Sequence, residues 1–127
     1  MNSATRLLVT LFCGSVMEAK YFMNGEILFE EGVKDDVAFI IKKGSVTLSR
    51  KMHGGWSKQV ATVEAGGIIG EMALIDNQPH SVTAMATEDG EAMVLTREDY
   101  LARVNRSDKV LSMIIKTLTH RLRSTYS

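Results

Sequence analysis

Turn-forming residues recur along this chain at a spacing of about ten: Asn24-Gly25, Gly32, Gly44, Gly54-Gly55, Gly66-Gly67, Asp76 to Pro79, and Asp89-Gly90. Short strands broken at that interval are the mark of a sandwich or barrel. The segments between the turns agree. Ser45-Val46-Thr47-Leu48-Ser49 alternates polar and apolar, as a strand with one buried face does. Val37-Ala38-Phe39-Ile40-Ile41 is a continuous apolar run, the pattern of a buried strand. Ser81 to Ala86 and Glu91 to Leu95 flank one turn signal and are expected to pair with each other.

The pattern changes after Leu95. Thr96-Arg97-Glu98-Asp99 reads as a capping box with Asp in place of the usual Glu, followed by a short helix to about Arg103. Ser107-Asp108 reads as a second helix start, with an acid in the first turn. Val110, Leu111, Ile114, Ile115, Leu118 and Leu122 then repeat at helical spacing. Arg121 and Arg123 fall near that helix's C-terminus, where positive charge suits the dipole.

At the other end, Arg6 precedes the apolar run Leu7 to Cys13. Such a run is either a signal-peptide core or an apolar helix covering one end of the strands. No clear small-x-small cleavage site follows, so a helix over 1–17 is expected.

With 127 residues the chain is long enough for one domain with a real core. Lys plus Arg and Asp plus Glu balance at 15 each, so no net field draws it to nucleic acid or an anionic membrane. Cys13 is the lone cysteine and cannot form an internal disulfide, so nothing points to an oxidising compartment. A cytoplasmic location is expected. His53, His80 and His120 stand far apart, without metal-ligand spacing, and no metal or other cofactor is expected. No nucleophile–base pair is evident, and a jelly-roll enzyme would commonly need clustered metal ligands. The chain is therefore expected not to be an enzyme. Its eight methionines are dispersed and read as core filler. Trp56, after Gly54-Gly55, reads as a packing residue.

Gly70-Glu71-Met72-Ala73-Leu74-Ile75 reads as a short helical turn, Asp76-Asn77-Gln78-Pro79 as a polar loop, and His80-Ser81-Val82-Thr83-Ala84 as the start of a strand. This is a cradle for a small anionic ligand that carries hydroxyls. N–H groups at a helix start attract phosphate, and a carboxylate accepts hydrogen bonds from sugar hydroxyls. Gly70 and Ala73 would let an anion approach the backbone, although a tight turn with nothing bound also wants glycine. Glu71 is either that acceptor or a surface acid complementing the helix start, worth about 0.3–1 kcal/mol. Ser81 either donates to a phosphate oxygen or is an ordinary outward strand residue. Thr83 shares its side of the strand and either faces the ligand or is a half-buried strand threonine. Leu74 is expected to pack beneath the segment.

The segment resembles the phosphate-binding cassette of the cyclic nucleotide-binding domain family. Gly70, Glu71, Ala73, Leu74, Pro79, Ser81 and Thr83 fit the family pattern, while His80 stands at its arginine position and Val82 at the following alanine. Upstream, Gly25-Glu26-Ile27-Leu28-Phe29-Glu30-Glu31-Gly32 resembles the family's first hairpin, and Phe39 to Val46 its second. The resemblance runs from about Glu18 to the C-terminus.

It implies a mainly β fold: an antiparallel jelly-roll β-barrel over 18–96, with the cassette at 70–84, an N-terminal helix over 1–17 and two C-terminal helices over 97–127. All 127 residues form one domain in this reading. It also implies a stand-alone regulatory module for cyclic AMP or cyclic GMP. The expected ligand-binding residues are Gly70, Glu71, Met72, Ala73, His80, Ser81 and Thr83. Glu71 would accept from the ribose 2′-hydroxyl, and the base would lie between the barrel and the last helix, where Tyr126 is a candidate. Family effectors are DNA-binding, kinase or channel domains elsewhere on the chain. Here the output would pass through an unidentified protein partner or a homodimer built on the last helix, without direct nucleic-acid or membrane binding.

His80 departs most from the pattern. Arginine offers a permanent charge and a planar fork matched to two phosphate oxygens. Histidine offers one or two donors from a shorter reach, a difference worth roughly one to two decades of affinity. A site with His80 there is weak, pH-sensitive, altered in ligand choice or vestigial; the alternative is that His80 is a solvated loop-end residue.

Overall fold

A computed structural model describes residues 9–12, 15–104 and 109–126. Its strands are β1 (Val9–Phe12), β2 (Ser15–Phe22), β3 (Ile27–Phe29), β4 (Val37–Lys43), β5 (Ser45–Lys51), β6 (Ser57–Glu64), β7 (Ile68–Ile69), β8 (Thr83–Ala86) and β9 (Gly90–Thr96). Three helices are described: α1 (Glu71–Asp76), α2 (Arg97–Val104) and α3 (Lys109–Tyr126). The strands form two antiparallel sheets, in the orders β1-β2-β9-β4-β7 and β3-β8-β5-β6. The expected jelly roll is present as a sandwich of two sheets rather than a closed barrel. Phe22, Phe39, Ile41 and Ala92 of the first sheet meet Phe29, Val46, Leu48 and Ala84 of the second to form the core.

Pairing differs from the sequence reading in a consistent way. β8 pairs with β3 and β5, and β9 pairs with β2 and β4, so the two strands flanking Asp89-Gly90 lie in different sheets. The segment 25–32 holds only β3, whose partner is β8, and β4 and β5 do not pair across Gly44. These turns are therefore corners that carry the chain from one sheet to the other, not hairpins. They also clasp one another. A Cβ at Gly44, whose φ is +88°, would stand 2.7 Å from the Asp89 carbonyl oxygen. A Cβ at Gly90 would collide with the Lys43 carbonyl oxygen and the Phe22 ring. The Asn24 N–H donates to Asp89 Oδ1 at 2.7 Å, drawing in the third corner. Backbones this close leave no room for side chains, which is why glycines mark these corners.

The helix expected over 1–17 is a second correction. Val9–Phe12 is β1, paired with β2 so that Val9 faces Glu18 and Phe12 faces Ser15. Residues 1–8 lie outside the described residues. A short apolar run carries no period that separates strand from helix, and the open edge of β2 supplies partners for its backbone.

The C-terminal helices start as expected where they are described. Thr96 Oγ1 accepts from the Asp99 N–H at 3.2 Å, and Asp99 Oδ2 accepts from the Thr96 N–H at 3.3 Å. That reciprocal pair is the capping box of α2. Ser107-Asp108, read as the next helix start, lies outside the described residues. α3 packs on α1, with Arg123 reaching Asp76. Half-buried Ile115, buried Thr119 and Arg123 recur every four residues on one face of α3. Methionine is not only core filler: Met72 and Met93 are buried, while Met23, Met85 and Met113 are exposed. Trp56 is also largely exposed, in the β5–β6 hairpin.

Candidate functional site

β7 pairs with β4, Phe39 opposite Ile69, and delivers the chain to Gly70. Gly70 is the N-cap of α1 at φ 79° and ψ 4°, a left-handed conformation that glycine adopts without strain. Space is tight as well, so a larger residue would need its neighbours to shift. A Cβ there would lie 3.0 Å from the Val37 carbonyl oxygen, 3.1 Å from the Phe29 ring and 3.2 Å from the His80 ring. No side chain caps α1, and its Met72, Ala73 and Leu74 are buried. It ends at Asn77, left-handed at φ 57°, and Gln78 N–H donates to Asp76 Oδ1 at 3.1 Å.

The returning strand is fastened at His80. Its N–H donates to the Val33 carbonyl at 3.2 Å, and its carbonyl accepts from the Gly32 N–H at 2.8 Å. The residue is only 4% exposed. The ring stacks on Phe29 with centroids 3.9 Å apart and planes 14° from parallel. Its Nε2 lies 2.9 Å from Asp35 Oδ1. The solvated loop-end reading of His80 is therefore overturned: the aromatic face of Phe29 and the Asp35 carboxylate hold it inside.

These elements enclose a cavity of about 120 Å³. Gly70, Glu71, Met72, Ala73, His80 and Ser81 line it, so six of the seven sequence-predicted site residues converge. The seventh, Thr83, stands aside: its Oγ1 accepts from the Glu31 N–H at 2.9 Å. Apolar walls come from Phe29, Leu48, Val63, Ile69 and Val82. Burial lifts the Glu71 carboxyl above the usual carboxylate range, while its own backbone amide and nearby His80 pull the other way.

Arg123, read from sequence only as a complement to the helix dipole, also lines the cavity. Its Nε and one terminal nitrogen donate to the two Asp76 oxygens, the second of these at 3.0 Å. The other terminal nitrogen donates to the Pro79 carbonyl at 3.1 Å. The available signal was its spacing, four residues beyond Thr119 and eight beyond Ile115 on one helical face. Arg97 makes a parallel tie, donating to the Leu74 carbonyl at 2.7 Å.

A two-sheet jelly roll with a glycine-opened turn, a half-buried glutamate and a half-enclosed cavity defines a small-ligand-binding module. The chain belongs to the cyclic nucleotide-binding domain family, whose sequence profile matches residues 19–107. It is 33% identical over 109 residues to the cyclic AMP receptor protein of Thermus thermophilus, covering 86% of this chain and 50% of that protein. It is 29% identical over 96 residues to cGMP-dependent protein kinase 2 of Mus musculus, covering 74% of this chain and 13% of the kinase. The chain thus spans half or less of these relatives. Among solved structures it superposes on the EAL enzyme Bd1971 in its cyclic AMP-bound form with a TM-score of 0.78 and 35% identity, over 85% of this chain and 29% of that one. The Thermus thermophilus catabolite activator protein superposes with a TM-score of 0.74 and 32% identity, over 86% of this chain and 51% of the other. Among the described residues no helix is long and apolar enough to cross a membrane.

Proposed function

We propose that this chain is a regulatory module that binds a cyclic nucleotide, cyclic AMP first, and acts by binding rather than catalysis. The observation that carries this reading is the convergence of Gly70 to Ala73 with Ser81 on one cavity, in a chain whose family match spans it. In this reading Glu71 accepts from the ribose 2′-hydroxyl, and the backbone at Gly70 to Ala73 with the Ser81 hydroxyl meets the cyclic phosphate. The base lies toward α3. Titration calorimetry with cyclic AMP and cyclic GMP tests it: saturable binding at one site per chain is expected, with cyclic AMP the tighter.

One observation favours a second reading, a fold kept for interaction after its ligand was lost. The residue at the cassette's arginine position is committed to Phe29 and Asp35. Absence of heat with either nucleotide at millimolar concentration selects that reading.

The output in our proposal passes through α3. Val110, Leu111, Met113, Ile114, Leu118 and Leu122 are between 47% and 67% exposed, on a helix whose other face packs on α1. Apolar area of that extent on one helix is costly in water. A second copy can cover it by a symmetric helix-to-helix contact, because a two-fold pairs one stripe with itself. Light scattering is expected to give twice the 14.0 kDa chain mass, and Leu118→Glu to return it to the single-chain value. A monomeric mass for the parent at high concentration defeats the dimer.

A further inference from the structure

We propose that Arg123, reaching in from α3, is the cation that receives the ligand's phosphate, and that Asp76 occupies its guanidinium until the ligand arrives. This deepens the proposed function and rests on it.

Arg123 is the one permanently charged cation among the described residues lining the cavity. Arg97 is tied to the Leu74 carbonyl and is not part of the lining. His80 lines the cavity too, but its ring face is covered by Phe29 and its Nε2 is directed at Asp35. A buried histidine so held cannot offer two parallel donors to an anion.

The geometry at Arg123 is that of anion recognition. Nε and a terminal nitrogen address both oxygens of one carboxylate, the side-on fork that guanidinium also presents to phosphate. The Pro79 carbonyl sets the orientation of the remaining terminal nitrogen. Both side chains keep some solvent contact, at 21% for Arg123 and 26% for Asp76. Exchange of one anion for another therefore needs no passage through the core.

Asp76 is unexpected where it stands. It is the last residue of α1, and a carboxylate at a helix C-terminus opposes the dipole. Arg123 offsets that cost, so the pair holds α3 on the cassette. Capture of phosphate by Arg123 releases Asp76 to water and to its Gln78 N–H, and shifts the point at which α3 grips the cassette. Ligand occupancy and α3 position are thereby linked through one side chain.

The test is titration of cyclic AMP against the parent, Arg123→Ala, Arg123→Lys and Asp76→Asn at fixed salt, with circular dichroism as the check on fold. Arg123→Ala is expected to lower affinity by roughly ten- to one-hundred-fold, the weight of a charge-assisted hydrogen bond. Arg123→Lys, with charge but no fork, should fall between. Asp76→Asn should bind more tightly than the parent, because the competing carboxylate is gone. If the pair merely fastens α3, Arg123→Ala and Asp76→Asn will shift affinity in the same direction, and that result overturns the inference. Parent-like binding by Arg123→Ala also overturns it while leaving the cyclic-nucleotide reading intact. No binding by the parent removes both. Should Arg123→Ala fail to fold, the opposite signs expected for Arg123→Lys and Asp76→Asn keep the question decidable.

Discussion

Glu71→Ala is expected to lower affinity for cyclic AMP by roughly ten- to one-hundred-fold without loss of fold. A hydrogen bond to a charged acceptor is worth about 1.5–3 kcal/mol, and each 1.4 kcal/mol is about a decade in affinity. Among the described residues Glu71 is the carboxylate lining the cavity, so no neighbouring acid of that lining substitutes for it. A 2′-deoxy cyclic nucleotide supplies the control. It should bind the parent more weakly than cyclic AMP does, and lose little more on Glu71→Ala, because the same bond is already missing. Equal binding by parent and variant would remove Glu71 from the site. The same side chain should carry a stability cost. Burial raises its carboxyl above the value it has in the unfolded chain, so the folded state holds the proton more tightly. Stability from this group is complete below the ordinary carboxylate range and is lost as pH rises through the raised value. Glu71→Gln abolishes that loss. Without ligand, the variant should unfold at higher temperature than the parent at pH 7, and the difference should fade as pH falls through the carboxylate range. A gap that does not change with pH would show that burial of the charge is not its cause.

Leu74→Ala is expected to lower folding stability by about 2–5 kcal/mol, the range for truncating a buried leucine. Leu74 is 1% exposed, among the most deeply buried large side chains of the chain. It sits in the middle of α1, which has six residues. A helix that short does not persist on its own hydrogen bonds. What seats it is burial of Met72, Ala73 and Leu74 beneath the cavity that the cassette frames. The cavity left by alanine should therefore loosen the cassette, and ligand affinity should fall even far below the unfolding temperature. Leu74→Met, which keeps most of the volume, should cost less than about 1.5 kcal/mol. Urea denaturation measures both. A loss under about 1 kcal/mol for alanine would mean that the Arg97 and Arg123 ties, not packing, hold α1 in place.

The β class, the cassette and the last helix were all legible in the sequence, because each is written locally. Turn residues punctuate the chain at strand length. Val46 and Leu48 alternate inward as their pattern says, and Thr96 and Asp99 close their box within one turn. The spacing of Val110, Leu111, Ile114, Ile115, Leu118 and Leu122 marked the last helix, although most of that stripe stays exposed and the packed face runs through Thr119. The partner of each strand was not written there. Asp89-Gly90 reads as a hairpin turn, yet β8 and β9 leave it for different sheets, because each sheet needs the other to cover its apolar face. Nor could an apolar run as short as Val9–Phe12 declare itself a strand before the β2 edge was there to pair with it. His80 and Arg123 exchanged prominence for the same reason. The cassette pattern puts His80 at its arginine position, but the fold brings Phe29 and Asp35 to its ring. Arg123 looked like the tail of a helix until that helix folded back onto Asp76 and Pro79, partners 47 and 44 residues away in sequence. Periodicity and turn chemistry act over a few residues, whereas contacts at such separations exist only once the two sheets and α3 have closed around them.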